Sequence, residues 1–487
     1  MSHQHHRHFV GIKHAWIQGP KLIKVTIDPH VHYEDLQVLD HEGHKVSHQI
    51  RREGENVYFD FSTKLDFSKN YQITLHSESV YAIYALEILN SHFFSNEELG
   101  AQFEGEKVHL SLWSPTATEI TFLLYDRDGK TLLGKAPMKR GKKGVWKGKI
   151  SPKDFNLKSL EAYYYHYEVT AFGKTVLALD PYAKSMAAFD PHGEDKVGKA
   201  ALVRIEMPKK RKTFKSPCAN EADYIGYEAH IHDFTIDPNL EIPEEEKGTY
   251  KGFERVIPHL EDLGITHVQF MPLQNFYTTN ERNRDFQSID VPMERINYNW
   301  GYDPHNYFSP EGWFSMHPED PYARLNELKE MIEALHQAKM GAVLDVVYNH
   351  LYHYALLENA APACYLRRHD NGVISQGTGA GVSLESRNLM SRRLIVDSLL
   401  HFQNYFGFDG FRFDLMGYID QETMKAIRKA LGPKTILYGE AWNFTDLPYE
   451  QAPTKSNFPH DIKLGVFNVT SRDSYAGQMS GKGFVQG

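Results

Sequence analysis

The sequence predicts a multidomain chain, with two small N-terminal β-sandwich modules followed by a longer region of alternating parallel strands and helices. Three observations predict it. From about residue 8 to 90, and again from about 91 to 185, apolar and polar residues alternate in short runs between turn residues, the period of half-buried strands. After residue 220 the pattern changes to short apolar strands alternating with helix-period segments. The chain has 487 residues, 41% of them hydrophobic and 24% charged, which supplies enough material for several cores.

The first module, residues 1–90, rests on "KLIKVTIDPHVHYEDLQVL" and "NVYFDFSTKLDFSKNYQITL"; the second, 91–206, on "VHLSLWSPTATEITFLLYD" and "YYYHYEVTAFG". A basic run with flanking prolines, "MPKKRKTFKSP", marks a solvated linker at 207–223. From 224 to 487, candidate strands are 224–231, 266–273, 341–349, 408–415, 435–442 and 464–469. Between them, Leu325, Leu328, Ile332 and Leu335 form one helical face, and Ile395, Leu399, Phe402 and Phe406 another. Phe253, Val256, Leu260 and Leu263 suggest a third, with Pro258 near its start.

Composition narrows the function classes. A formal net charge of -9 argues against a nucleic-acid partner, and 13% aromatic residues leave uncharged, ring-shaped ligands as good candidates. Cys218 and Cys364 stand far apart, so no disulfide framework or cysteine zinc site is expected, and a reducing, cytoplasmic location fits. The start, "MSHQHHRHFVG", lacks an apolar signal core and is read as a tail outside the fold; no run approaches the ~20 apolar residues of a membrane span.

The reactive residues collect where apolar runs end: Asp345, Asn349 and His350 in the third strand, Arg412 and Asp414 in the fourth, Glu440 and Trp442 in the fifth. Carboxyl ends of parallel strands share one face, so these groups converge. For Asp345 the simpler reading, a helix cap or turn residue, is the stronger. Asp414 alternates with Arg412 along "FRFD", which places both side chains on one face and predicts a carboxylate of depressed pKa, suited to a nucleophile. Glu440 lies between Gly439 and Ala441, small neighbours read as room for a ligand, and apolar surroundings predict a retained proton, suited to a general acid. Two such carboxyls ~5 to 5.5 Å apart make a retaining glycosidase. "YNWGYDP", 298–304, interrupts aromatic rings with Gly and Pro, as an exposed ligand-gripping loop would.

In "DVVYNH", "GFRFD" and "GEAW", in that order, the region from about 224 resembles the α-amylase superfamily, glycoside hydrolase family 13, and "YNWGYDP" resembles the signature of type I pullulanases. The middle module, with "LWSPTATE" and "DPYAK", is similar to the starch-binding module of family 48. The resemblance implies a (β/α)8 TIM-type barrel behind the two sandwiches and hydrolysis of α-1,6-glucosidic links in pullulan, amylopectin and related α-glucans. It implies Asp414 as nucleophile and Glu440 as acid and base, with Arg412 positioning the nucleophile and His350 contacting the sugar. Tyr302 would stack beneath that sugar, Trp442 would line the acceptor side, and Trp300 and Asp303 belong to the substrate loop, with Asn299, more as shapers than as contacts. No organic cofactor is implied; calcium occurs in the superfamily, but no oxygen-ligand loop is assignable. Other branched-glucan enzymes, an isoamylase or a branching enzyme, and a non-catalytic glucan-binding role are the competing readings.

Two departures from that family pattern stand out. The third catalytic Asp, expected after a His at a seventh strand, is not found: "PHDI" (459–462) precedes the sixth strand and "HIHDF" (230–234) belongs to the first. His232 stands where the family often has Arg. After the sixth strand, 18 residues remain (487 − 469), whereas two more βα units need roughly 60, so the expectation is an incomplete barrel of about six strands and a C-terminally truncated chain.

Overall fold

The computed structural model describes residues 11–209 and 214–477; the histidine-rich start and residues 210–213 of the basic run lie outside the described residues. In the N-terminal region, strands Gln49–Glu53, Asn56–Asp60, Leu22–Ile27, Ile12–Gly19 and Ile83–Tyr84 form one sheet in that order, and Gln37–Asp40, Tyr71–Leu75 and Glu78–Tyr81 another. Alternation builds them: Ile23, Val25 and Ile27 point into the core while Leu22, Lys24 and Thr26 stay partly exposed. The first sheet is antiparallel except where Ile83–Tyr84 runs parallel to Ile12–Gly19, and the two sheets of the next module are antiparallel throughout. Lys107–Trp113 and Glu119–Tyr125 lie at their centres and contribute Leu110, Leu112, Phe122 and Leu124 to a shared core.

Beyond residue 224 six strands run parallel in sequence order: Gly226–Ala229, His267–Phe270, Gly341–Val346, Gly410–Phe413, Ile436–Gly439 and Gly465–Val466. Each lies inside its predicted stretch. The second, third and fourth are buried along their whole length, which explains their continuous apolar text. Helix Ala323–Gln337 buries Leu325, Leu328, Ile332 and Leu335, and helix Leu389–His401 with its π-helical extension Phe402–Phe406 buries the second predicted face. The third predicted helix is broken. It runs as Tyr250–Phe253, a 3-10 turn and Ile257–Asp262, with Pro258 in the first turn of the last piece, and Leu263 falls past its end, 49% exposed.

The modules touch the turn at Asp370 and the helix Leu389–His401 through polar contacts. Trp16 Nε1 donates to the Asp370 carbonyl at 2.9 Å, and Arg393 donates to the carbonyls of Ser95 and Glu97, both at 2.6 Å. No helix among the described residues is long and apolar enough to cross a membrane.

Candidate active site

The strand register assembles the site. Asp345 pairs with Arg412 across the third and fourth strands, and Phe413 with Gly439 across the fourth and fifth, so Asp345, Asp414 and Glu440 surround one guanidinium. Arg412 Nη1 lies 2.8 Å from Asp345 Oδ1 and 3.3 Å from Asp414 Oδ1, and its Nη2 lies 3.1 Å from Glu440 Oε1. The Asp414 and Glu440 carboxyls both reach this guanidinium, which brings them together across the fourth and fifth strands.

Asp345 is therefore no cap or turn residue. It is fully buried in the strand, accepting from Arg412 and, at 2.6 Å, from the Tyr302 hydroxyl. A carboxylate inside "AVLDVV" can be buried only if it is paired, and that was the signal available in the text. Burial raises its pKa to about 6, against the pull of Arg412.

The proton distribution reverses the sequence expectation for both carboxyls. Burial, then the Asp345 charge, outweighs Arg412 and pushes Asp414 up to about 7. Burial also acts to raise Glu440, but Arg412, the Leu415 N–H and the Trp442 indole N–H overcome it and hold Glu440 below its ordinary value. An adjacent guanidinium was read as belonging to Asp414 alone; in the fold it is shared by three carboxylates, with Asp345 nearest. These directions favour the protonated form at Asp414 over that at Glu440.

Gly439 also serves a different purpose from the one expected. A Cβ there would lie 2.7 Å from the Phe413 carbonyl oxygen, so the glycine makes room for the neighbouring strand rather than for a ligand. Ala441 is buried, and its carbonyl accepts from the Lys455 N–H at 2.7 Å. That close approach sets Glu440 beside Asp414. Leu415 adopts a left-handed backbone, φ 42°, which turns its N–H onto Glu440 Oε1 at 3.1 Å. Trp442 Nε1 donates to the other oxygen, Oε2, at 2.9 Å.

His350 is buried beside this cluster. Its Nε2 donates to the Tyr302 carbonyl at 2.8 Å, its Nδ1 lies 2.5 Å from Asn349 Oδ1, and burial lowers its pKa to about 4, so the ring is neutral near pH 7. Asn349, which the sequence noted only as a strand end, donates to the Asp414 carbonyl and to its Oδ2 at 2.8 and 3.0 Å. Tyr302 is thus tied to Asp345 by its hydroxyl and to His350 by its carbonyl. Gly301, at φ 99°, packs a would-be Cβ 2.9 Å from Pro272 and makes the turn possible. Asp303 faces away from the cluster: Oδ2 accepts from Thr278 N and Oγ1, and Oδ1 from Asn299 Nδ2. Trp300 is 60% exposed, its indole N–H on the Tyr298 hydroxyl at 3.2 Å.

The His-Asp sequences elsewhere stay outside this cluster. His460 and Asp461 are exposed, with Asp461 paired to Lys425, and His232 stacks on Trp313 at 4.3 Å. Among the described residues, Asp40, Glu42 and His44 lie close enough together to hold an ion, but Lys69 and two backbone N–H groups already occupy Asp40.

Comparison with known proteins identifies the relatives. Residues 98–183 match carbohydrate-binding module 48 (isoamylase N-terminal domain). Pullulanase A of Streptococcus pneumoniae serotype 4 is 36% identical over 467 residues, 90% of this chain and 36% of the relative. The chain is a homologue of the pullulanases. Bacillus subtilis pullulanase is 30% identical over 83% of the chain and 55% of its own length. Among solved structures, Group B Streptococcus pullulanase SAP in complex with maltotetraose aligns with a TM-score of 0.83 at 31% identity, covering 97% of this chain and 63% of that one. The chain spans about a third to just over half the length of these curated pullulanase relatives.

Proposed function

We propose that the chain carries the catalytic centre of a debranching glycoside hydrolase that cleaves α-1,6-glucosidic linkages in pullulan, amylopectin and related α-glucans with retention of configuration. The observation that carries the reading is the pair of carboxyls, Asp414 and Glu440, around Arg412 at adjacent parallel strand ends in a pullulanase homologue. The six strands in unbroken sequence order fit the winding of a (β/α)8 barrel, and residues 91–206 fit a glucan-binding module.

A retaining reaction needs Asp414 ionised and Glu440 protonated. In the unliganded site burial and the Asp345 charge favour the proton on Asp414, so saccharide binding must shift the balance toward Glu440. Asp414 then attacks the anomeric carbon while Glu440 gives that proton to the departing glycosidic oxygen. In the second step Glu440 takes a proton from water, the water oxygen bonds to the anomeric carbon, and Asp414 is released. Arg412 stabilises whichever carboxyl is ionised, Tyr302 offers a ring beneath the sugar, and His350 and Trp442 line the site from either side.

The test is product analysis on pullulan. Maltotriose as the main product, lost in Asp414→Asn, supports the reading; new branch points without hydrolysis, or glucan binding without turnover, would replace it.

A further inference from the structure

The loops after the first and second parallel strands enclose a cleft of about 410 Å³ that the Asp414 site does not use. Its size falls within the ~300–1,000 Å³ span of small-ligand sites. The charges lining it cancel: Lys247, Arg282 and Arg284 stand against Glu244, Asp285 and Glu319. Two pairs are formed, Lys247 Nζ with Glu244 Oε1 and Arg282 Nε with Glu319 Oε1, each at 2.9 Å. Arg284 spends Nη1 and Nη2 on the carbonyls of Ser315 and Glu245 and leaves its enclosed Nε without a partner. Beside these groups the Phe286 ring is 50% exposed.

A charge-balanced cleft rich in donors and acceptors, with one open aromatic face, selects a neutral polyol. A phosphate would gain three cations but would also face three carboxylates, and an apolar ligand would leave the polar walls unpaired. A pyranose ring satisfies both parts, with hydroxyls for the charged groups and a C–H face for Phe286. The location fits the same polymer. Both loops leave the strand ends on the face that holds Asp414 and Glu440, and the loop carrying Phe286 continues directly into Tyr298, Trp300 and Tyr302. The two regions also share supports: His232 Nε2 donates to the Arg284 carbonyl at 3.3 Å, and the Tyr298 hydroxyl donates to Asp233, the next residue, at 2.5 Å.

We propose that this cleft is a second saccharide site, which holds one segment of a neutral α-glucan chain while another segment lies over Tyr302. It rests on the substrate class proposed above. Two linked sites favour long chains, because the second contact forms at high effective concentration once the first is made.

Calorimetric titration of the 487-residue chain with maltotetraose and with maltoheptaose tests this. Binding events at the cleft and at Tyr302 are expected, separate from any at residues 91–206, with maltoheptaose the tighter ligand. Phe286→Ala combined with Asp285→Asn removes one event and weakens maltoheptaose roughly tenfold or more, with an unchanged melting curve; Tyr302→Ala removes the other. An isotherm that the Phe286/Asp285 substitutions leave unchanged while Tyr302→Ala removes an event overturns this proposal and leaves the substrate reading intact. No saccharide binding to the unsubstituted chain overturns both.

Discussion

Arg412 approaches Asp345 more closely, at 2.8 Å, than it approaches Asp414, at 3.3 Å. The residue that faces no substrate in the proposed chemistry therefore has the first claim on the guanidinium, and its charge helps raise the pKa of Asp414. In Asp345→Asn that charge is gone. The Asp414 pKa falls, so the alkaline limb of the rate profile for pullulan hydrolysis moves to lower pH, and kcat drops by roughly tenfold or more as Arg412 loses its anchor. Rates measured from pH 4 to 9 on both proteins check the direction.

The unsubstituted chain has its own profile to test. The Asp414 proton leaves as pH rises through about 7, where Asp414 titrates, so kcat/KM declines above neutrality; the acid limb lies below the ordinary glutamate range, where Glu440 titrates.

Stability follows the same proton. Asp414 has a folded pKa raised from 3.8 to about 7, so its contribution to stability is fully present below pH 3.8 and is lost as pH rises through 7. Asp414→Asn has no proton to lose there. Its denaturation midpoint relative to the unsubstituted chain should rise between pH 5 and pH 8, by the equivalent of about 1–3 kcal/mol. Chemical denaturation at the two pH values measures it.

Trp442→Phe keeps the ring and removes the N–H that bonds to Glu440 Oε2. The ionised form of Glu440 loses a donor, so its pKa rises and the acid limb moves to higher pH, with a loss in kcat of several-fold and little change in melting temperature.

Gly439→Ala places a methyl group 2.7 Å from the Phe413 carbonyl oxygen and 2.9 Å from the Phe413 Cβ. The fourth and fifth strands must separate, at a cost of about 1–3 kcal/mol in stability, and Glu440 shifts away from Asp414. Denaturant titration and pullulan hydrolysis should both report a loss.

Much of the scaffold was readable from local pattern. "GAVLDVVYN" and "FDGFRFDL" read as strands because burial on both faces leaves a continuous apolar run, and the helix 323–337 read as a helix because its inward residues recur at the helical period. Pro258 warned of a poor helix start, but the exposure of Leu263 depended on where the chain turned afterwards. At the site, Asp345, Asp414 and Glu440 all stand out as reactive groups closing apolar runs, but Asp345 reads as a cap or turn residue, whereas it lies buried within the strand. Asp303 and Trp300 carry the same sequence signal as Tyr302, yet only Tyr302 reaches the charge cluster; Asp303 is held by Thr278 and Trp300 by Tyr298.

The residue order by itself determined the strands, the helix faces and the convergence of a carboxylate pair at one end of a parallel sheet, since hydrophobic period and chain direction are local properties. Only the tertiary structure decided toward which carboxyl burial and neighbouring charges bias the proton. That choice is set by burial and by charges from three different strands, and electrostatic energy depends on distance in space, which separation along the chain does not encode.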